Sequence, residues 1–330
     1  MSLKRRRFLS LGSFSFINFI KSGPIKSGPI QFGPAYLAGS ITTFNRPIFA
    51  SALQSQISTN NRQNKNDLLL RFVSVADTGT GGYGQYSVAQ SMVNYRRQNP
   101  YDLVVLAGDN IYTNGEIEKI NSAFERPYAS LLRQGVKFYA VLGNHDIRTA
   151  NGEPQVKYSG FNMQGRYYTF HRGPVQFLAL DTNRNADWQN QLLWLEKELS
   201  NSKAIWKIVF GHHQIYSSGV YGVNKPFIDV LTPIFQKYGV QLYINGHEHN
   251  YERTRPINGT TYMVCGSGAT TRPVGRSEWT EYSASKLSFV AYNVYADRIE
   301  ISGIGTDNEV FDRGVIPLNS GHLQVNSRLI

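Results

Sequence analysis

The chain has 330 residues, 41% of them hydrophobic, which supports a sizeable core over a disordered chain and allows one large domain or two small ones. A formal net charge of +11 favours anionic partners such as phosphate esters, nucleic acid or an acidic surface. The only basic block is at the N-terminus, and no basic helix face interleaved with aromatics occurs, so a nucleic-acid module is disfavoured. The lone Cys265 excludes an internal disulfide.

Lys4-Arg5-Arg6-Arg7 precedes an uncharged stretch, Phe8 to Ile20. A basic head and a short apolar segment have the shape of an export signal. At about 1.5 Å rise per residue the segment is too short for stable membrane insertion. Arg-Arg-Arg-Phe-Leu-Ser resembles a twin-arginine motif, which implies export, periplasmic or extracellular, of a folded protein. Lys21-Ser-Gly-Pro-Ile repeats at Lys26 as a low-complexity linker, and Ala50-Ser51-Ala52 is a candidate cleavage site. Residues 1–52 therefore read as signal and linker, and 53–330 as one catalytic domain.

From Asp67 onward, apolar runs alternate with helical patterns. Strands are expected at 68–76, 103–107, 136–142, 205–210 and 240–244. Helices are expected at 85–98, 122–134, 186–199 and 226–238, the last with a kink at Pro233. Arg166 to His171 and Val175 to Asp181 read as a hairpin, and the tail from Thr260 as antiparallel strands. Parallel units first and antiparallel strands last predict an α/β fold: two mixed β-sheets packed face to face and flanked by helices, a four-layer αββα sandwich.

Five apolar runs stop at polar residues: Asp77, Gly108-Asp109, Gly143-Asn144-His145, Gly211-His212-His213 and Gly246-His247-Glu248-His249. Any one of these is an ordinary turn. Together they hold five of the seven histidines, leaving His171 and His322 elsewhere. The carboxyl ends of parallel strands are where α/β folds bind ligands. Carboxylate, amide, imidazole and the phenol of Tyr112 make a mixed oxygen and nitrogen donor set suited to Fe, Zn or Mn. The donors exceed what one ion needs. A pair of ions sharing Asp109 would use them all and could clamp both oxygens of an in-line phosphoryl displacement.

These stretches, with Asp77-Thr78-Gly79, Gly108-Asp109-Asn110-Ile111-Tyr112, Gly143-Asn144-His145-Asp146, Val209-Phe210-Gly211-His212 and Gly246-His247-Glu248-His249 in order, resemble the five motifs of the purple (tartrate-resistant) acid phosphatases, within the calcineurin-like metallophosphoesterases. The resemblance implies Fe(III) held by Asp77, Asp109, Tyr112 and His249. It implies a divalent ion (Fe, Zn or Mn) held by Asp109, Asn144, His212 and His247. His145 would contact substrate or leaving group. The implied activity is hydrolysis of phosphate monoesters by a metal-bound hydroxide, with small phosphate esters as partners. His213 departs from the pattern, and either faces substrate or packs.

The alternatives are a phosphodiesterase or nucleotide-cleaving member of the same superfamily, and a non-catalytic binding protein on the same platform. Selectivity is expected in loops such as 183–185 and 217–223.

Overall fold

The structure, a computed structural model, describes residues 67–318, all in the second of the chain's two units, Gln56–Ile330. The expected signal, linker and boundary at 52/53 lie outside the described residues.

The first sheet runs in the order β13 (Val310–Pro317), β12 (Arg298–Gly305), β11 (Ser288–Val294), β1 (Leu70–Val75), β2 (Leu103–Leu106) and β3 (Lys137–Ala140). The second runs β10 (Thr280–Ala284), β8 (Tyr251–Thr254), β9 (Thr261–Cys265), β7 (Leu242–Asn245), β6 (Trp206–Phe210), β5 (Val175–Ala179) and β4 (Tyr168–Arg172). β1, β2 and β3 are parallel, as are β5, β6, β7 and β9, so each sheet has a parallel centre and antiparallel margins.

Successive strand residues face opposite sides, and here both sides are apolar. Phe72, Val105, Phe177, Trp206 and Ile208 fill the layer between the sheets, with Phe72 edge-on to Phe177 at 5.1 Å. Val73, Val104 and Phe138 face outward against Val88 and Met92 of α1 (Tyr83–Gln98). Leu178, Val209 and Tyr243 face outward against α4 (Trp188–Asn201) and α5 (Lys225–Tyr238). Asp187 and Asn224 cap these two helices by accepting the backbone N–H of Asn190 and Phe227. The predicted four-layer sandwich is the observed one.

The differences have local causes. The helix expected at 122–134 is a π turn, Asn121–Glu125, followed by the short α2 (Ala129–Arg133), and a second short helix, α3 (Glu153–Lys157), follows β3. Pro127 stands between them and has no N–H to continue the ladder. α5 runs on through Pro233. The tail is not wholly antiparallel: β9 lies parallel to β7, covering an edge that would otherwise expose unpaired backbone. The hairpin β4–β5 turns at Gly173-Pro174, close to the expected place.

Candidate metal centre

The candidate ligands leave the parallel strands on sharply turned backbone. Asp77, Asp109 and His247 all have left-handed φ, at 56°, 53° and 70°. Such conformations are uncommon outside glycine and cluster at functional sites. Gly108, with φ 88°, lies flat against the His212 imidazole, and a Cβ there would sit 2.5 Å from His212 Nδ1. At Gly143 a Cβ would collide with the Asp109 carboxylate. The backbones have approached so closely that only glycine fits.

The side chains gather into two groups on either side of Asp109. In the first, the Tyr112 hydroxyl donates to Asp77 Oδ1 at 3.1 Å and lies 3.2 Å from His249 Nε2, which is 3.4 Å from Asp77. In the second, His212 Nε2 lies 3.1 Å from Asn144 Oδ1 and 3.2 Å from His247 Nδ1. Asp109 Oδ1 is 3.6 Å from His212 Nε2, and ligand atoms of Asp77, Asp109 and His212 all fall within 4.8 Å of one another. The turn at His247 sends His247 and His249 to different groups, whereas an extended segment would have put them on one face.

The chemistry of these contacts fits a cation. His212 Nδ1 lies 3.0 Å from the carbonyl of Ala107, which can only accept, so the proton of a neutral ring is on Nδ1. Its Nε2 is then a bare lone pair. It faces Asn144 Oδ1 and Asp109 Oδ1, both acceptors, with no proton to share. A positive ion satisfies such a convergence, and the carbonyl behind the ring fixes its orientation.

His145 stands at the edge of this cluster. Its backbone N–H donates to Asp109 Oδ1 at 2.9 Å, and its ring Nε2 lies 3.9 Å from Asp109 Oδ2. His213 is half-buried, with Nδ1 2.9 Å from Thr182 Oγ1 and its ring 4.6 Å from that of His247. It is held as a packed residue would be, yet it borders the cluster.

The calcineurin-like phosphoesterase family matches residues 70–251. Purple acid phosphatase 7 of Arabidopsis thaliana is 31% identical, covering 62% of this chain and 72% of its own length. Tartrate-resistant acid phosphatase type 5 of Oryctolagus cuniculus is 27% identical over 60% of this chain and 73% of its own. This chain belongs to the calcineurin-like phosphoesterases, among the purple acid phosphatases. The structure of purple acid phosphatase PPD1 from yellow lupin (Lupinus luteus) superposes with a TM-score of 0.64 at 21% identity, over 75% of this chain and 53% of that one, a likeness of fold. Membership implies a binuclear metal centre.

Burial sets the electrostatics of this phosphoesterase. It pushes the Asp77 carboxyl up to about 6, reinforced by the nearby charge of Asp109, and it raises the Tyr112 phenol strongly beside the same two carboxylates. It holds His212 far below the usual imidazole range and brings His247 down to about 2 and His213 to about 4. Burial thus keeps His212 and His247 neutral at mildly acidic pH, the form in which an imidazole can bind a cation.

Some residues of this phosphoesterase carry roles that the sequence reading did not assign. Asp146 is fully buried and accepts from the backbone N–H groups of Asn110, Ile111 and Gly143 and from Gln155 Nε2. It joins the loop after β2 to the loop after β3. Thr182 Oγ1 accepts from the N–H of both His212 and His213. The one sequence signal for Asp146 was its place after Gly-Asn-His.

Proposed function

We infer that this protein is a binuclear-metal acid phosphatase that hydrolyses phosphate monoesters. The observation that carries it is the convergence of acceptor atoms around Asp109, in a chain of this family. We assign Asp77, Asp109, Tyr112 and His249 to one ion, Fe(III), and Asp109, Asn144, His212 and His247 to a divalent Fe, Zn or Mn. When bound, the pair supplies Lewis-acid polarisation of the ester and acidifies water. The chain supplies the rest. Asp109 lies between the two groups with a charge that serves both. We assign His145, whose backbone N–H is bound to Asp109, to contact substrate and to give a proton to the leaving oxygen. His213 is assigned a substrate-facing position with Thr182 behind it. The basic head and apolar segment support export of the domain from residue 53 onward. No helix among the described residues is long and apolar enough to cross a membrane.

The test uses the full chain. Metal analysis should find two ions per chain, iron among them. Phenolate on Fe(III) absorbs visible light, so the protein should be violet, and Tyr112→Phe should lose the band while keeping its metal. A panel should favour a phosphate monoester over a diester and over cyclic nucleotides; the reverse order would support the phosphodiesterase reading. Colourless, metal-poor and inactive protein would sink the assignment.

A further inference from the structure

Two arginines stand beside the candidate centre with their charge unmatched. Arg148, exposed just after the loop that carries Asn144 and His145, donates from Nη1 to the carbonyl of Thr113 at 3.2 Å, and its Nη2 lies 3.3 Å from His145 Nε2. Arg272, half-buried in the connection between β9 and β10, donates from Nη1 to the carbonyl of His247 at 3.3 Å and from its backbone N–H to the carbonyl of His249 at 2.6 Å. Its guanidinium lies 5.4 Å from the ring centre of Tyr221, which is itself stacked on His247 at 4.4 Å. Neither forms an ion pair with a carboxylate among the described residues.

Arginines that tie this fold together look different. Arg253 lies on Asp312 and Arg166 on Asp181, each at 2.8 Å. Near the centre, the buried acids are directed elsewhere. Glu248 accepts the backbone N–H groups of Val220 and Tyr221, and Glu252 those of Ser218 and the hydroxyl of Thr280. They hold the loop bearing Tyr221 and leave Arg272 un-neutralised. The Arg272 guanidinium, held by the carbonyl of His247 and the face of Tyr221 on a backbone tied to His249, keeps its full charge and most of its five N–H donors. Its position is set before any ligand arrives, so little side-chain entropy is lost on binding an anion.

We propose that Arg148 and Arg272 select phosphate esters whose organic part carries an anionic group of its own, which they bind while the transferred phosphoryl group occupies the centre. This rests on the phosphatase reading above. A neutral alcohol or sugar tail would leave both cations facing water. A carboxylate or a second phosphate accepts their N–H groups in the planar geometry that arginine offers.

The experiment compares kcat/KM of the metal-loaded full chain for three esters of similar leaving oxygen: glycerol 3-phosphate, 3-phosphoglycerate and propane-1,3-diol bisphosphate. The wild type should favour the charged tails. Arg148→Gln and Arg272→Gln should each lower the charged-to-neutral ratio by about tenfold, the size of one charge-assisted hydrogen bond. The tail that loses more, carboxylate or phosphate, identifies the group that is read. A wild type without preference would overturn the proposal, and that comparison needs no variant to fold. Equal losses on all three esters would also overturn it, placing the arginines on the transferred phosphate or on the loops. Hydrolysis of none of the three by metal-loaded protein would overturn the phosphatase reading itself.

Discussion

The two sheets bring different chemistry to the centre. Loops leaving β1, β2 and β3 of the first sheet carry Asp77, Asp109, Tyr112 and Asn144, all oxygen donors. Loops leaving β6 and β7 of the second carry His212, His247 and His249, all imidazoles. Neither half alone offers a plausible mixed site. The halves are stitched across the gap: the N–H of His247 donates to Asp77 Oδ2 at 2.9 Å, and His212 Nδ1 to the carbonyl of Ala107 at 3.0 Å. The centre therefore exists only when the sheets are packed, and cation binding reports on that packing as well as on the donors.

The sharpest way to break the division of labour is at its shared member. Asp109→Asn keeps a residue that tolerates left-handed backbone, so strain is held nearly constant while the charge is removed. Both ions should be lost or loosened together, and kcat/KM for a monoester should fall on the order of 10²- to 10³-fold or more. Metal counts beside rates check this. Loss of one ion with the other retained would mean that Asp109 belongs to one group and not to both.

A second variant tests whether the oxygen-donor half is held as a unit. Asp146→Ala would strip the acceptor from three backbone N–H groups in two loops. Leaving buried donors unpaired costs about 1–3 kcal/mol each, partly relieved by water entering the space. A loss of about 3 kcal/mol in unfolding free energy is expected, with weaker metal retention. The imidazole half does not touch Asp146, so the Ala107–His212 contact should persist. Denaturant unfolding with metal analysis would check it; a variant of wild-type stability would mean that the loops stand without their anchor.

The same contrast explains what could be read from the chain beforehand. The parallel strands were legible because both their faces are apolar, and each run breaks at a polar residue where the sheet ends. β8 was not, because Glu252 and Arg253 interrupt any alternation; their charges meet Ser218, Thr280 and Asp312, partners distant in sequence. Asp and His are among the residues that accept left-handed backbone, but residue type alone does not say that Asp77, Asp109 and His247 are the ones that turn. Asp146 reads like any turn aspartate until the amides around it are known. Donor types and their strand-end spacing could be read locally, but which donors meet is decided by how the two sheets stack.

The smallest effect separates the halves by pH. Burial raises Asp77 to about 6, so below that value a cation in its group must displace a proton. His212 and His247 are held far below their usual range, so their group gives up no such proton. The sign follows: a raised carboxyl pKa makes acid the competitor for the ion on the oxygen-donor side. Affinity for a cation there should fall more steeply below about pH 6 than above it, by about one extra power of ten per pH unit. Asp77→Asn should abolish the extra steepness. Zinc titrated into metal-free protein against a chelator of known pH dependence, from pH 5 to 8, measures it. A slope unchanged across pH 6 would show that the proton on Asp77 is not the one the cation replaces.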